Sequence, residues 1–180
     1  MVRKATNADL SAIAAIYSAV HTEEECGRMT IGWNRKIYPT QQTAQDAIAR
    51  GDMYVLEDGG SIVAAGLLNQ LQVAEYALVD WEIRAEDEAV FVLHTLVVDP
   101  QKARRGYAAQ FVAYYNDLAY ALGCRTLRID TNERNTAARR LYAKLGFRES
   151  GIIPCVFNGL EGVQLVCLER AVLAPEEERK

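Results

Sequence analysis

The chain has 180 residues, 50% of them hydrophobic and 24% charged, with 20 basic side chains against 24 acidic ones and a net charge of −4. That is the composition of one globular domain able to bury a real core, and it excludes collagen, coiled-coil arrays and intrinsic disorder. The acidic balance argues against duplex nucleic acid as a partner, and no apolar run reaches the roughly 18–20 residues of a membrane span.

Val2 to Lys4 can open a short strand, and Thr6 with Asp9 forms a capping box before Leu10, Ile13, Tyr17 and Val20, which recur at helical spacing. This amphipathic run, broken by Asp9, Ser11 and Ser18, reads as a helix and not as a secretory leader. Thr40 can cap a second helix that Gly51 ends. Met53–Leu56 and Ile62–Leu71 flank Asp58-Gly59-Gly60, a hairpin signal. Val90–Val98 is a further strand, closed by Asp99-Pro100. Phe111, Val112, Tyr115, Leu118 and Leu122 mark a helix ending at Gly123, and Thr126–Thr131 marks a strand. Asn135 caps a helix with Ala138, Leu141, Tyr142 and Leu145 on one face, ended by Gly146. Two last strands flank Asn158-Gly159. Strands alternating with helices predict a mixed α/β domain over residues 1–172, with 173–180 as an acidic, frayed tail.

Cys26, Cys124, Cys155 and Cys167 make no C-x-x-C pair and read as small buried hydrophobes of a reducing, cytoplasmic compartment. Together with His21 and His94 they have no metal-ligand spacing, so no metal is expected.

The stretch Leu96 to Ala109 carries the chemistry. A buried strand ends at Pro100, and a short loop leads through Gly106 into a helix starting near Tyr107. A helix N-terminus offers unpaired N–H groups and a partial positive charge, which suits phosphate. Lys102, Arg104 and Arg105 against Asp99 give the loop a local charge of +2 in an acidic chain. The alternative is an ordinary strand-to-helix loop with solvated charges. Neither G-x-G-x-x-G nor a Walker loop is present.

With the second segment, Asn135 to Phe147, this stretch resembles the GNAT family of N-acetyltransferases. Asn135, Ala138, Leu141, Tyr142, Gly146 and Phe147 complete that family's second motif. The first motif is partial: Gly106 and Ala108 match, while Ala103 stands where Arg or Gln is usual. The resemblance implies one domain with a mixed sheet whose fourth and fifth strands splay apart to hold acetyl-CoA. Backbone groups of Leu96, Val97 and Val98 would pair with the pantetheine arm, and Val97 would polarise the acetyl carbonyl. The N–H groups of Arg104, Arg105, Gly106, Tyr107, Ala108 and Ala109 would hold the pyrophosphate, and Asn135 would contact the cofactor as well as cap its helix. Tyr142 would protonate the departing thiolate; by periodicity alone it is a core aromatic. His94, four residues before Val98 and read as sharing its face, would be the base that frees a protonated amine.

The implied activity is transfer of acetyl from acetyl-CoA directly to an acceptor amine on a small molecule or peptide. The rival is a GNAT-like module that binds acyl-CoA as a sensor or interaction subunit without catalysis. A homodimer is the default among oligomers. Between Glu75 and Glu88, Glu75, Asp80, Glu82, Glu86, Asp87 and Glu88 face one base, Arg84. This run reads either as a solvated hairpin or as an acidic rim steering a cationic acceptor.

Overall fold

The computed structural model describes residues 1–174. The elements are β1 (Val2–Lys4), α1 (Leu10–Glu25), α2 (Gln41–Arg50), β2 (Met53–Asp58), β3 (Ser61–Asn69), β4 (Val90–Val98), α3 (Tyr107–Ala121), β5 (Thr126–Asn132), α4 (Thr136–Lys144), β6 (Arg148–Phe157) and β7 (Leu160–Ala171). They form a single mixed α/β unit around one seven-stranded sheet of order β1-β2-β3-β4-β5-β7-β6. Neighbours run antiparallel except β4 and β5. A parallel pair needs a long crossover, and α3 supplies it. The hairpins follow from residues that accept positive φ: Gly59 and Gly60 (φ 55° and 74°) turn β2 into β3, and Asn158 and Gly159 (50° and 77°) turn β6 into β7.

Three apolar clusters hold the sheet. On one face, Phe111 and Tyr115 of α3 and Tyr142 of α4 pack on Leu93, Leu127 and Ile129. On the other, Ile13, Tyr17 and Val20 of α1 with Ala44 and Ala47 of α2 cover Met53, Val55, Ala65, Leu67 and Val97. Tyr76, Val79 and Trp81, from the β3–β4 connection, cover Val90, Val92, Val163, Leu165 and Cys167. Burying a side chain of Leu or Phe size stabilises by about 1.5–3 kcal/mol, so these contacts dominate the favourable side. The Tyr115 hydroxyl lies 2.5 Å from the Phe91 carbonyl and 2.9 Å from that of Arg128, sharing one proton between β4 and β5.

Two expectations change. Cys124 and Cys167 are buried, but Cys26 is exposed at the end of α1 and Cys155 half-buried on the edge strand, because an edge strand covers only one side. Leu173 is tied down, since its N–H donates to Asn116 Oδ1 and its carbonyl accepts from Asn116 Nδ2, both at 2.9 Å. The rest of the expected frayed tail, residues 175–180, lies outside the described residues. No described helix is long and apolar enough to cross a membrane.

Candidate active site

β4 and β5 are paired only from Val90↔Thr126 to Leu93↔Ile129. Beyond that point β4 stays bound to β3 as far as Val98↔Ala64, and β5 to β7 as far as Asn132↔Leu165. Each strand is held on its outer side, so the inner edges separate into a cleft of about 340 Å³. His94 and Asp130 occupy the first positions past the last pair, at the apex of the gap.

A bulge bends β4 there. The register with β3 shifts after Leu67↔His94, and Thr95 takes φ 54°, rare for a β-branched residue. Tyr38 reaches in to hydrogen-bond the Thr95 hydroxyl. The extra residue inverts the side-chain alternation. Phe91 and Leu93 belong with Leu96 and Val98 on the α3 face, while Val90, Val92 and Val97 point the opposite way. His94 follows Val92, so it does not share a face with Val98, contrary to the four-residue count. The same geometry corrects Val97. The Asp99 N–H donates to the Val63 carbonyl on β3 at 2.9 Å. Amides two residues apart on a strand point the same way, so the Val97 amide faces β3, paired with Ala65. The backbone groups turned toward the gap are those of Leu96 and Val98.

The His94 ring lines the cleft with its Nε2 3.1 Å from the Leu71 carbonyl and 3.2 Å from Asn69 Oδ1. A carbonyl can only accept, so Nε2 carries the proton and Nδ1 the free lone pair. Behind it Asn69 Nδ2 donates to Asp52 (2.9 Å), which also receives Arg50 (3.1 Å). Burial is the main cause lowering the His94 pKa below the ordinary 6.5, which keeps the ring neutral at pH 7.

Tyr142 enters from α4, 5% exposed, edge-on to Phe147. Burial, with the nearby Asp130 charge, pushes its phenol well above the usual range. Asn135 caps α4 by accepting the Ala138 N–H at 3.2 Å, and it also lines the cleft.

The loop from Asp99 to Gly106 is shaped by its own backbone. Asp99 Oδ1 accepts the Gln101 N–H at 3.0 Å, Pro100–Lys102 make a 3-10 turn, and Arg104 and Gly106 take φ 65° and 78°. The N–H groups of residues 104–109 find no acceptor among the described residues. A Cβ on Gly106 would meet no protein atom within 4 Å, so the space beside that residue's Cα is open. The Arg104 and Arg105 side chains are exposed. Tyr107 is turned inward, its hydroxyl donating to Asp58 at 2.6 Å, so only its backbone can face a ligand. Ala108 and Ala109 are half-buried on the first turn of α3.

Four cleft residues escaped the sequence reading. Trp33 and Tyr38, from the loop between α1 and α2, pack edge to face with ring centroids 6.0 Å apart. Phe157 comes from the end of β6. Asp130 comes from β5, with Oδ2 accepting the Tyr76 hydroxyl at 2.8 Å. Burial is the main cause raising the Asp130 carboxyl to about 7, with Glu75 adding to the rise and the Tyr76 bond opposing it. The only advance signal was a carboxylate next to Ile129, near the C-terminal end of a strand whose apolar residues are Leu127 and Ile129.

The acidic run lies mostly elsewhere. Asp80 is paired with Arg84 at 2.8 Å, and Glu82 with Arg148. Asp87 accepts from Gln72 at 2.6 Å. Glu86, Asp87 and Glu88 precede Val90, at the end of β4 where it is still paired with β5. Four residues of strand, roughly 13 Å, separate that end from His94. Of the six acids Glu75 alone is close enough to act on Asp130.

The fold is thus a mixed sheet that opens between its two parallel strands, beside a loop of unpaired amides. The family model "Acetyltransferase (GNAT) family" matches residues 15–147, and the chain belongs to that family. Over 78 residues it is 35% identical to an aminoglycoside N(6')-acetyltransferase type 1 of Serratia marcescens, covering 43% of this chain and 53% of that one. The chain spans about half the length of the curated relatives it matches. Among solved structures, a GNAT-family acetyltransferase of Streptococcus agalactiae superposes with TM-score 0.80 at 20% identity, over 97% of this chain and 96% of the other. A Salmonella typhimurium structure described with its cofactor acetyl-CoA has TM-score 0.67 at 18% identity, over 97% and 94%. At these identities the structures speak for the fold alone.

Proposed function

We propose that this chain transfers the acetyl group of acetyl-CoA to the amine of an acceptor held in the cleft. The observation that carries the reading is the free inner edge of β4 running directly into the unpaired amides of residues 104–109. Such an edge can pair with an amide-bearing arm as a strand would, and the amides at a helix N-terminus suit a pyrophosphate. Arg104 and Arg105 add charge for phosphates, and Asn135 lines the cleft. Acetyl-CoA supplies the activated acetyl thioester. The Leu96 N–H, turned toward the gap, polarises the acetyl carbonyl. His94 Nδ1 accepts a proton from the incoming amine, directly or through water. Tyr142, protonated throughout the physiological range, gives a proton to the departing sulfur. The relationship to an enzyme named for acetylating an aminoglycoside supports an amine acceptor.

Thermal denaturation tests the reading. Acetyl-CoA at 100 times its Kd should stabilise the protein by about 2.7 kcal/mol. Gly106→Val should remove that gain, since a β-branched residue at φ 78° is strained and would fill the open space beside the Gly106 Cα. An unchanged Tm in millimolar acetyl-CoA would end the proposal.

A further inference from the structure

The acceptor half of the cleft is specific in its charge. Besides the half-buried His94 and the phenols of Tyr38 and Tyr142, the cleft lining holds one guanidinium, Arg50, and one carboxyl, Asp130. Arg50 is engaged with Asp52. Asp130 has one oxygen on the Tyr76 hydroxyl, and its other oxygen has no hydrogen-bond partner among the described residues. Around it stand Tyr76 and Glu75 from the β3–β4 connection, Tyr38 from the loop before α2, Tyr142 on α4, Cys155 on β6 and Cys167 on β7, none of them cationic, with the neutral His94 ring beside it on β4. Arg128, two residues back on β5, is stacked on Trp81 and hydrogen-bonded to Gln72. Trp33, Tyr38 and Phe157, with Val73 and Leu160, complete an aromatic and aliphatic wall.

We propose that Asp130, positioned by Tyr76, is the acceptor's ammonium-binding group, and that the acceptor is a primary amine with one positive charge on an apolar or aromatic arm. This rests on the acetyl-transfer reading and narrows its substrate class. An ammonium ion needs a carboxylate or a π-face to replace water, and Asp130 with the Trp33–Tyr38–Phe157 wall provides both. A polycation needs a carboxylate for each charge it brings in, and the cleft lining holds one, Asp130; Glu75, near enough to act on it, is not among the lining residues. The chain thus differs from its aminoglycoside-acetylating relative in the acceptor it fits. His94 and Asp130, side by side at the apex, divide two tasks, with Asp130 holding the cation and His94 taking its proton.

The test uses the full chain, with and without acetyl-CoA, and three probes: phenethylamine, its neutral isostere 2-phenylethanol, and the polycation kanamycin. Calorimetry near pH 8 should show phenethylamine binding about tenfold or more tightly than 2-phenylethanol, the advantage expected of a hydrogen-bonded charge. The advantage should shrink toward pH 6 as Asp130 takes up a proton. Asp130→Asn should abolish it while leaving 2-phenylethanol and acetyl-CoA binding unchanged. A measurement independent of any variant is the Asp130 carboxyl titration by carbon-13 NMR, whose midpoint should fall when phenethylamine is bound. Tyr76→Phe should move that midpoint and weaken phenethylamine while 2-phenylethanol is unaffected. Equal binding of phenethylamine and 2-phenylethanol, or an unmoved carboxyl midpoint, would overturn the assignment of Asp130. Kanamycin binding more tightly than phenethylamine would overturn the single-charge class. Loss of acetyl-CoA binding with the ammonium preference intact would instead strike the acetyl-transfer reading.

Discussion

The two sides of the proposed site are built from different materials. The proposed cofactor side starts at Leu96 in the cleft lining and runs on beyond it, and it is backbone: the gap-facing groups of Leu96 and Val98 and the amides of residues 104–109, all within one strand-loop-helix segment. The proposed acceptor half is side chains delivered by separate pieces of chain. Trp33 and Tyr38 come from one loop, Tyr76 from another, and His94, Asp130 and Phe157 from three strands. Backbone amides are present whatever the side chain, so the first half tolerates substitution wherever φ and exposure allow; Ala103 where Arg or Gln is usual leaves the amides in place. The second half depends on each residue and on every element that carries it, so acceptor choice can change within one fold.

This contrast can be broken most sharply at Tyr142, which reaches the gap from the α4 side. Tyr142→Phe should lower turnover about 10²- to 10⁴-fold, the range for a general acid, while acetyl-CoA affinity stays unchanged in the thermal-shift assay. A variant with full turnover would make Tyr142 a packing residue.

His94→Ala tests the opposite wall. The wild-type rate should rise with pH through a midpoint below 6.5, because burial lowers the His94 pKa and the base must be neutral to act. The variant should lose that limb and about 10²-fold in rate below the acceptor's own pKa. A pH profile with the limb still in place would take His94 out of the reaction.

Asp130 should show the cost of its position in the unliganded protein. An Asp titrates near 3.9 in an unfolded chain and near 7 here. Between those values the folded state binds more protons, so stability falls as pH rises from about 4 to about 7 and then levels off. Asp130→Asn should therefore be the more stable protein near pH 8, by about 1–2 kcal/mol once solvent in the cleft is allowed for, and its stability should vary less with pH. Equal pH slopes in urea titrations of the two proteins would remove the carboxyl from this account.

The smallest effect belongs to the cofactor half. Asn135→Ala removes the α4 cap and should cost about 1 kcal/mol of stability. Asn135→Asp keeps a capping oxygen, so it should restore stability without restoring any contact that Asn135 Nδ2 makes to ligand. Equal acetyl-CoA affinity in wild type and Asn135→Asp would confine Asn135 to capping.

Local chemistry made much of this molecule legible in advance. Thr40, Gly51 and Asn135 bound helices by satisfying or ending backbone hydrogen bonds, and Asn158-Gly159 turns a hairpin because both residues accept positive φ. A nearly continuous apolar run set β4, and a glycine before a helix marked the loop of free amides. These features depend on a few neighbouring residues, so they can be read along the chain.

The tertiary structure decided the rest. The Thr95 bulge, to which Tyr38 hydrogen-bonds from 57 positions away, shifts the side-chain phase of β4. That shift puts His94 and Val98 on opposite faces and turns the Leu96 amide, not that of Val97, toward the gap. Counting by twos along a strand cannot foresee an extra residue. The pairing of Asp130 with Tyr76, 54 positions apart, and the placement of Glu86, Asp87 and Glu88 at the far end of β4 likewise depend on strand order and register. The sequence by itself determined the family, the fold and the loop of free amides. Which side chains meet in the cleft was decided only when distant strands, each held on its outer edge, parted at Leu93 and Ile129.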